Sequence, residues 1–361
     1  MPWAKLCSHA RFNLATSGVA SWRLSDLPVK IEDLEINGAG EWASAYGCEP
    51  LQAALAAHCG VSEERIVAAA GTSMANYLAM AATLERGDDV LIEQPSYELL
   101  PAAASLIGAR VIRFPRKHQN GFALDPEDVK RNITARTSLV VVTNLHNPSS
   151  SLAGEEAIRE VGEIARGVGA RVLVDEVYLD AAFERAPRSA ALLGDHFLVT
   201  SSLTKVYGLS GLRCGWVIAE SSVATKMWLL NDLFSPIPAH IAERLSVIAL
   251  KELPRIAAAT RERLDTNRAV LNRFFESRDD LECAPLEFGT VAFPKLRQGD
   301  VGALCDLLRT KYETTVVPGK FFDMPDHFRV GIGGDRDTLE EGLRRLGAAL
   351  DECAVLQRVA V

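Results

Sequence analysis

No two of the seven cysteines, at positions 7, 48, 59, 214, 283, 305 and 353, form a CxxC pair, and the seven histidines form no HExxH motif. An odd number of cysteines spread over 361 residues does not describe a disulfide scaffold, because a chain of this length can fold around its own core. They read as small buried hydrophobes in a reducing cytoplasm, and no dedicated metal site is expected. Basic residues are in deficit: 39 Lys and Arg against 47 Asp and Glu leave a formal net charge of −8. That balance argues against a nucleic-acid partner, whose phosphates are held mainly by clustered Lys and Arg. No GxGxxG follows a strand and opens a helix, since Gly331-Ile332-Gly333-Gly334 lacks the third spacing, and a nicotinamide site is disfavoured. One uncharged stretch of 19 residues, Ile66 to Leu84, approaches the length of a membrane span. Its Gly71, Thr72, Ser73, Asn76 and Thr83, set among alanines, transfer poorly into lipid, so a turn followed by a buried helix is expected instead. The N-terminus, MPWAKLCSHARFN, lacks the apolar core of a signal peptide. A cytoplasmic protein with a small-molecule partner, no membrane and no nucleic acid is the expectation.

What is present is an ordinary globular composition, 48% apolar and 24% charged, in a chain long enough for two domains. From about residue 62, β-rich runs alternate with helical stretches at roughly 30-residue spacing, the length of a βαβ unit, which predicts a mostly parallel sheet flanked by helices. The predicted strands are Ile66–Ala69, Val90–Glu93, Arg110–Phe114, Leu139–Thr143, Arg171–Val174 and Phe197–Ser201, with an amphipathic helix at about 154–168. After about residue 220 the texture changes to a long charged helix, Ile256 to Arg278, followed by short strands near 281–284, 289–293, 314–317 and 328–332 and helices at 299–311 and 337–356. The expected organisation is an arm (1–40), a large α/β domain (41–240) and a smaller α+β C-terminal domain (241–361).

In open parallel sheets ligands bind beyond the carboxyl ends of the strands, so polar residues directly after apolar runs are the candidates. Lys205 is the only charged residue between Phe197 and Leu212. An ammonium in such a setting is costly, and an unprotonated lysine attacks carbonyls to form Schiff bases; the plain alternative, a lysine snorkelling from a strand end, is about as common. Asp175 follows Val172-Leu173-Val174 and reads as a base, a metal ligand, a partner for a ring nitrogen, or simply a helix cap. The run from Thr143 to Ser150 offers amides and hydroxyls, or just a turn. Gly71-Thr72-Ser73 lies between a strand and a helix, where free N–H groups and hydroxyls suit a phosphate, although Ser and Thr are equally good structural caps. Ser202 and Arg213, the latter among Gly208, Gly211 and Gly215, add a hydroxyl and a guanidinium that pairs with phosphate through two parallel hydrogen bonds. Asn147 precedes Asp175 by 28 residues and Asp175 precedes Lys205 by 30, so consecutive units bring all three to one rim. An acid, an isolated lysine, a phosphate cradle and an arginine share one rational ligand, pyridoxal 5′-phosphate.

The residues Asn144-x-x-Asn147-Pro148-Ser149, Asp175-Glu176-x-Tyr178, Ser201-Ser202-Leu-Thr-Lys205-x-x-Gly208-x-x-Gly211-x-Arg213-x-Gly215 and Arg329-Val330-Gly331, with Tyr46-Gly47 and Pro95-Ser96-Tyr97, resemble the class I/II aminotransferases of the fold-type I pyridoxal-phosphate enzymes. The resemblance spans nearly the whole chain. It implies a seven-stranded sheet in the large domain and a small domain joined by the arm. It also implies that Lys205 forms a Schiff base with the cofactor and shuttles protons, that Asp175 pairs with the pyridinium nitrogen, and that Tyr178 and Asn147 bond the ring hydroxyl. By the same resemblance Tyr97 stacks on the ring, and Thr72, Ser73, Ser202 and Arg213 hold the phosphate. Tyr46 reaches the phosphate of a neighbouring subunit in a homodimer, and Arg329 clamps the substrate carboxylate with backbone at Gly18. The implied activity is a two-stage exchange of an amino group between an L-amino acid and a 2-oxo acid. A lyase working by β- or γ-elimination would need the same Lys205, Asp175 and Arg329. A non-catalytic sensor of this fold is disfavoured by the acidic balance and the lack of a preceding helix-turn-helix. One departure is Ser150, where the family usually has glycine, which makes the geometry of that turn a point to inspect.

Overall fold

The computed structural model describes residues 3, 6–34, 48–235 and 238–359. The strands in chain order are β1 (Phe12–Asn13), β2 (Ile66–Ala70), β3 (Asp89–Gln94), β4 (Arg110–Pro115), β5 (Thr137–Thr143), β6 (Arg171–Asp175), β7 (Phe197–Ser202), β8 (Cys214–Ile218), β9 (Leu281–Glu282), β10 (Val291–Ala292), β11 (Lys295–Leu296), β12 (Thr314–Thr315), β13 (Val317–Pro318) and β14 (Phe328–Gly331). Seven of them form one sheet in the order β2-β8-β7-β6-β5-β3-β4, parallel except for β8, which runs antiparallel to both its neighbours. Each predicted strand of this sheet is present, extended by a residue or two. β8 is an addition: its sequence, Cys-Gly-Trp-Val-Ile, follows directly on the glycine-rich segment that dominated the local signal.

Strand side chains alternate between faces, and here both faces are covered. Val67, Val90, Ile92, Leu139, Val141, Leu173, Leu198 and Val217 are buried in one apolar cluster together with helices Thr72–Thr83, Leu99–Ile107 and Ser221–Asn231. Ile66, Leu91, Val140, Val142, Val172, Val174, Val199, Trp216 and Ile218 belong to the other, larger cluster, which includes helix Glu155–Gly167 and the C-terminal elements. Burial on both sides is why these strands read as continuous apolar runs. The connection from β6 to β7 departs from the βαβ expectation, since it holds only 3-10 turns at Leu179–Arg185 and Ala190–Leu192. Pro187 lies between those turns and removes a backbone donor that a helix would need.

The C-terminal part is built from the helix Leu253–Glu276, short strands β9–β14, helix Val301–Lys311 and the closing helix Arg336–Val359. The arm joins it: β1 pairs with β12, and the Gly331 N–H donates to the Leu14 carbonyl at 2.7 Å. No described helix is long and apolar enough to cross a membrane.

Candidate active site

The carboxyl ends of β5, β6 and β7 stand side by side. Thr143, Asp175 and Thr200 are in register across the three strands, and the Asn147 turn and the Lys205 loop continue from the outer two. Asp175 is buried at the base of a cavity of about 380 Å³, and burial pushes its pKa up to about 6. Its Oδ2 accepts from Asn76 Nδ2 at 2.8 Å, and Asn76 Oδ1 in turn accepts from Thr200 Oγ1 at 2.6 Å. Its Oδ1 accepts from the Val177 N–H at 3.1 Å, so this carboxylate both caps a turn and faces the cavity. Asn76 was not singled out by the sequence reading; its signal is a buried polar residue four positions after Thr72, one helical turn below the phosphate-type motif.

The helix Thr72–Thr83, whose Thr72 and Ser73 line the cavity, begins after Gly71, whose φ of 82° lies in the left-handed region. A Cβ on Gly71 would lie 2.3 Å from Arg213 Nη2, so a side chain there would push the guanidinium from the place where it donates to the Ala70 carbonyl at 3.1 Å. A Cβ on Gly215 would lie 2.5 Å from the Gly71 carbonyl carbon, so β8 likewise needs glycine where it passes the helix start. Thr72 Oγ1 donates to Ser202 Oγ at 2.7 Å, and Ser73 is exposed at the same rim. Hydroxyls, a guanidinium and helix N–H groups thus converge on one end, an arrangement suited to a dianion.

Lys205 lines the same cavity, with Nζ donating to Ser17 Oγ at 3.1 Å; Tyr178 donates to the same oxygen at 2.9 Å. Ser17 is a second residue that the sequence reading did not pick out, because the arm carries no periodic signal. Gly18 sits directly on Lys205: a Cβ there would be 3.3 Å from the Lys205 carbonyl oxygen. Tyr97 lines the same cavity, its phenol pushed up to about 12 by burial. Arg329 is fully buried; Nη1 donates to Asn147 Oδ1 at 2.9 Å and Nη2 to the Ala15 carbonyl at 3.1 Å, while the guanidinium lies 5.2 Å from the Phe322 ring centroid. Burial lowers its pKa, its Nε has no hydrogen-bond partner, and no carboxylate among the described residues pairs with it. A buried cation without a counter-charge is expensive, which fits a site that receives an anion.

All the sequence-predicted site residues except Tyr46 gather around this cavity; Tyr46 lies outside the described residues. The donor set fits pyridoxal 5′-phosphate: an anion cradle, a buried acid and a primary amine line one cavity. The Ser150 turn is formed with serine in the left-handed region at φ 61°, and its Oγ donates to the Val291 carbonyl at 2.7 Å. The geometry that favours glycine in the family is thus kept, and the side chain is used to tie the turn to β10.

Comparison with known proteins gives a consistent picture. The family described as aminotransferase class I and II matches residues 32–346. A capreomycidine synthase of Streptomyces vinaceus is 29% identical over 357 residues, 95% of this chain and 90% of that protein. An aspartate aminotransferase of Streptomyces avermitilis is 27% identical over 333 residues, 86% and 82% of the two chains. Among solved structures, a PLP-dependent aminotransferase from Streptococcus suis superposes with a TM-score of 0.89 at 24% identity, covering 98% of this chain and 96% of that one.

Proposed function

The chain belongs to the aminotransferase class I and II family, whose cofactor is pyridoxal 5′-phosphate, and from that premise we propose that it exchanges an amino group between an L-amino acid and a 2-oxo acid in two stages. The observation that carries the reading is the convergence of Lys205, Asp175 and the carboxylate-free Arg329 on one cavity of about 380 Å³. When bound, the cofactor supplies an electron sink next to the substrate Cα, which makes the α-hydrogen acidic.

The chain's own residues account for the rest. Lys205 Nζ holds the cofactor before substrate arrives and afterwards moves the proton at Cα. Asp175, fixed by Asn76 and the Val177 N–H, keeps a proton on the ring nitrogen, the protein's principal lever on that ring. Tyr178 and Asn147 hold the ring hydroxyl, and Tyr97 covers a ring face. Thr72, Ser73, Ser202 and Arg213 take the phosphate with the helix N–H groups. Arg329 takes the α-carboxylate bidentately with backbone at Gly18, and Asn147 orients the guanidinium. The arm and C-terminal elements carry Gly18 and Arg329, so they exclude water from the side of the substrate that the sheet leaves open. The division into arm, large domain and small domain, a reducing cytoplasmic setting and a homodimer with Tyr46 reaching across belong to the same reading.

Purified protein given pyridoxal phosphate is expected to show a visible absorbance band that Lys205→Ala loses; a wild type without the band overturns the assignment. Adding an amino acid should convert the band until a 2-oxo acid restores it. A second reading is elimination at Cβ or Cγ, which uses the same Lys205, Asp175 and Arg329; one relative matched over 95% of this chain is a synthase and not an aminotransferase. Release of ammonia and a keto acid, with the original band regenerated, selects it.

A further inference from the structure

Four side chains from three places in the sequence form one hydrogen-bonded row. Glu282 Oε1 on β9 lies 2.9 Å from His118 Nε2, His118 Nδ1 lies 3.1 Å from His327 Nε2, and His327 Nδ1 lies 2.7 Å from Asp326 Oδ1. The row ties the segment after β4 to the C-terminal part. On the β4 side His118 is anchored through its neighbours: Arg116, fully buried, pairs with Glu93 of β3 at 2.9 Å, and Lys117 pairs with Asp128 at 2.6 Å. On the other side the His327 carbonyl accepts from the Gly319 N–H at 2.8 Å, and β14 begins at the next residue with Arg329 as its second member. Beside the row is a cavity of about 530 Å³, lined by Gln119 and Ser151 from the one side and by Cys283 and Leu286 from the other, so packing between the two is interrupted there.

Each of the three contacts needs one hydrogen between its two atoms. Glu282 and Asp326 are acceptors only while ionised, and both are held in that form. The His118 hydrogen bond lowers the Glu282 pKa; at Asp326 burial raises it, but the bonds to His327 and Lys295 prevail and lower it. Two neutral imidazoles carry two ring hydrogens, so the row closes completely only when the pair holds one proton more. Burial outweighs the pull of Asp326 and lowers the His327 pKa. His327 is therefore the neutral member, with its hydrogen on Nδ1 toward Asp326, and His118 donates from both nitrogens. The charged groups facing the pair among the described residues are Glu282, with Arg297 at 3.5 Å, and Asp326, with Lys295 at 3.3 Å. His146, across the Phe122 ring, is kept neutral by burial. Without the extra proton, one contact in the row sets lone pair against lone pair.

We propose that His118 is a positioning residue for Arg329: protonated, it latches the residues leading into β14 to the segment after β4, and on losing its proton it gives up one contact and loosens the grip on the substrate carboxylate. This rests on the carboxylate-clamp reading of Arg329 above.

The holoenzyme is titrated with the standard L-amino acids, following the absorbance of the lysine-bound cofactor. The tightest of them is then compared in wild type, His118→Gln and Glu282→Gln from about pH 6 to about pH 8.5, across the ordinary histidine range. A glutamine carries its donor and acceptor at one tip and does not span two partners on opposite sides. His118→Gln should weaken binding about 3- to 10-fold at the lower pH, the range of one net hydrogen bond, with a ratio near one at the higher. Glu282→Gln keeps an acceptor without the charge and should move the change to lower pH. In Arg329→Ala the effect of His118→Gln should vanish at every pH. A ratio independent of pH, as a purely structural role would give, no weakening at all, or the same ratio without Arg329 overturns the proposal. Urea unfolding of the apo forms reads the latch without cofactor or substrate. Wild type should exceed His118→Gln in stability at the lower pH and lose the excess as pH rises, because a proton needed to close the row contributes only while it is bound; the same pH dependence in both overturns the latch. Absence of the band in wild type, or an unchanged affinity in Arg329→Ala, instead overturns the cofactor or the clamp reading, so the failures are told apart.

Discussion

Asn147 and Arg329 are 182 residues apart in sequence and share a hydrogen bond of 2.9 Å, from Nη1 to Oδ1, inside the buried cavity. The contact joins the turn after β5 to β14, so the residue proposed to clamp the carboxylate is aimed by one proposed to hold the cofactor. Arg329→Ala should raise KM for amino acids by about 100-fold, in line with ~1.5–3 kcal/mol for a hydrogen bond to a charged group, with a smaller change in kcat. Arg329→Lys should not rescue it, because an ammonium lacks the planar fork. Steady-state kinetics with the absorbance band intact checks this, and an unchanged KM refutes the clamp.

Asp175→Asn preserves shape and removes the charge. Activity should fall by on the order of 100-fold or more, within the span for a group that governs proton position in the transition state. Asn76→Ala should cost less, because Asp175 keeps its bond from the Val177 N–H. Single-turnover rates for the two variants would test that order.

Without cofactor, pH acts on stability through the same acid. Burial raises the Asp175 pKa from 3.8 to about 6. A carboxyl that holds its proton more tightly folded than unfolded stabilises the fold below its unfolded pKa, and the contribution is lost as pH rises through the folded value. Apo wild type should therefore lose stability relative to apo Asp175→Asn between pH 4 and pH 7, by about 3 kcal/mol from Asp175 itself given 1.36 kcal/mol per unit. Glu176, raised to about 7 mainly by burial and in smaller part by the Asp175 charge, acts in the same sense in both proteins, and Asp175→Asn removes that smaller part, which adds to the difference. His146, whose pKa burial lowers well below 6.5, acts oppositely and cancels. Urea unfolding at several pH values measures the difference; a flat profile would contradict it.

Ser150 and Gly289 meet at close quarters: a Cβ on Gly289, itself at φ 82°, would lie 2.3 Å from Ser150 Oγ. Gly289→Ala should cost about 1–3 kcal/mol for the forced left-handed conformation alone. Ser150→Gly should be nearly neutral for stability, since backbone relief offsets the lost bond to the Val291 carbonyl. Thermal denaturation of the two variants separates these outcomes.

The strands of the large sheet were legible because burial on both faces gives unbroken apolar runs, and the Asn147, Asp175 and Lys205 spacings were legible because they repeat one strand-to-strand unit. β8 was not, since its glycine and cysteine carry little strand propensity and its neighbour is a glycine-rich turn. Asn76 and Ser17 were hidden for a different reason. Their meaning lies in partners 99 and 161 residues away, Asp175 and Tyr178, and no local pattern encodes such a contact.

β2 has a single partner in the sheet, β8, and β8 lies antiparallel between β2 and β7. During synthesis the segment from Ile66 to the start of the following helix therefore has no neighbouring strand until residue 218 has left the ribosome. The anion cradle, built from Gly71–Ser73 on one side and Ser202 and Arg213 on the other, is a late product of chain growth rather than an early local motif. Arg329 arrives later still, so a nascent chain gains a place for the cofactor before it gains a grip on the substrate.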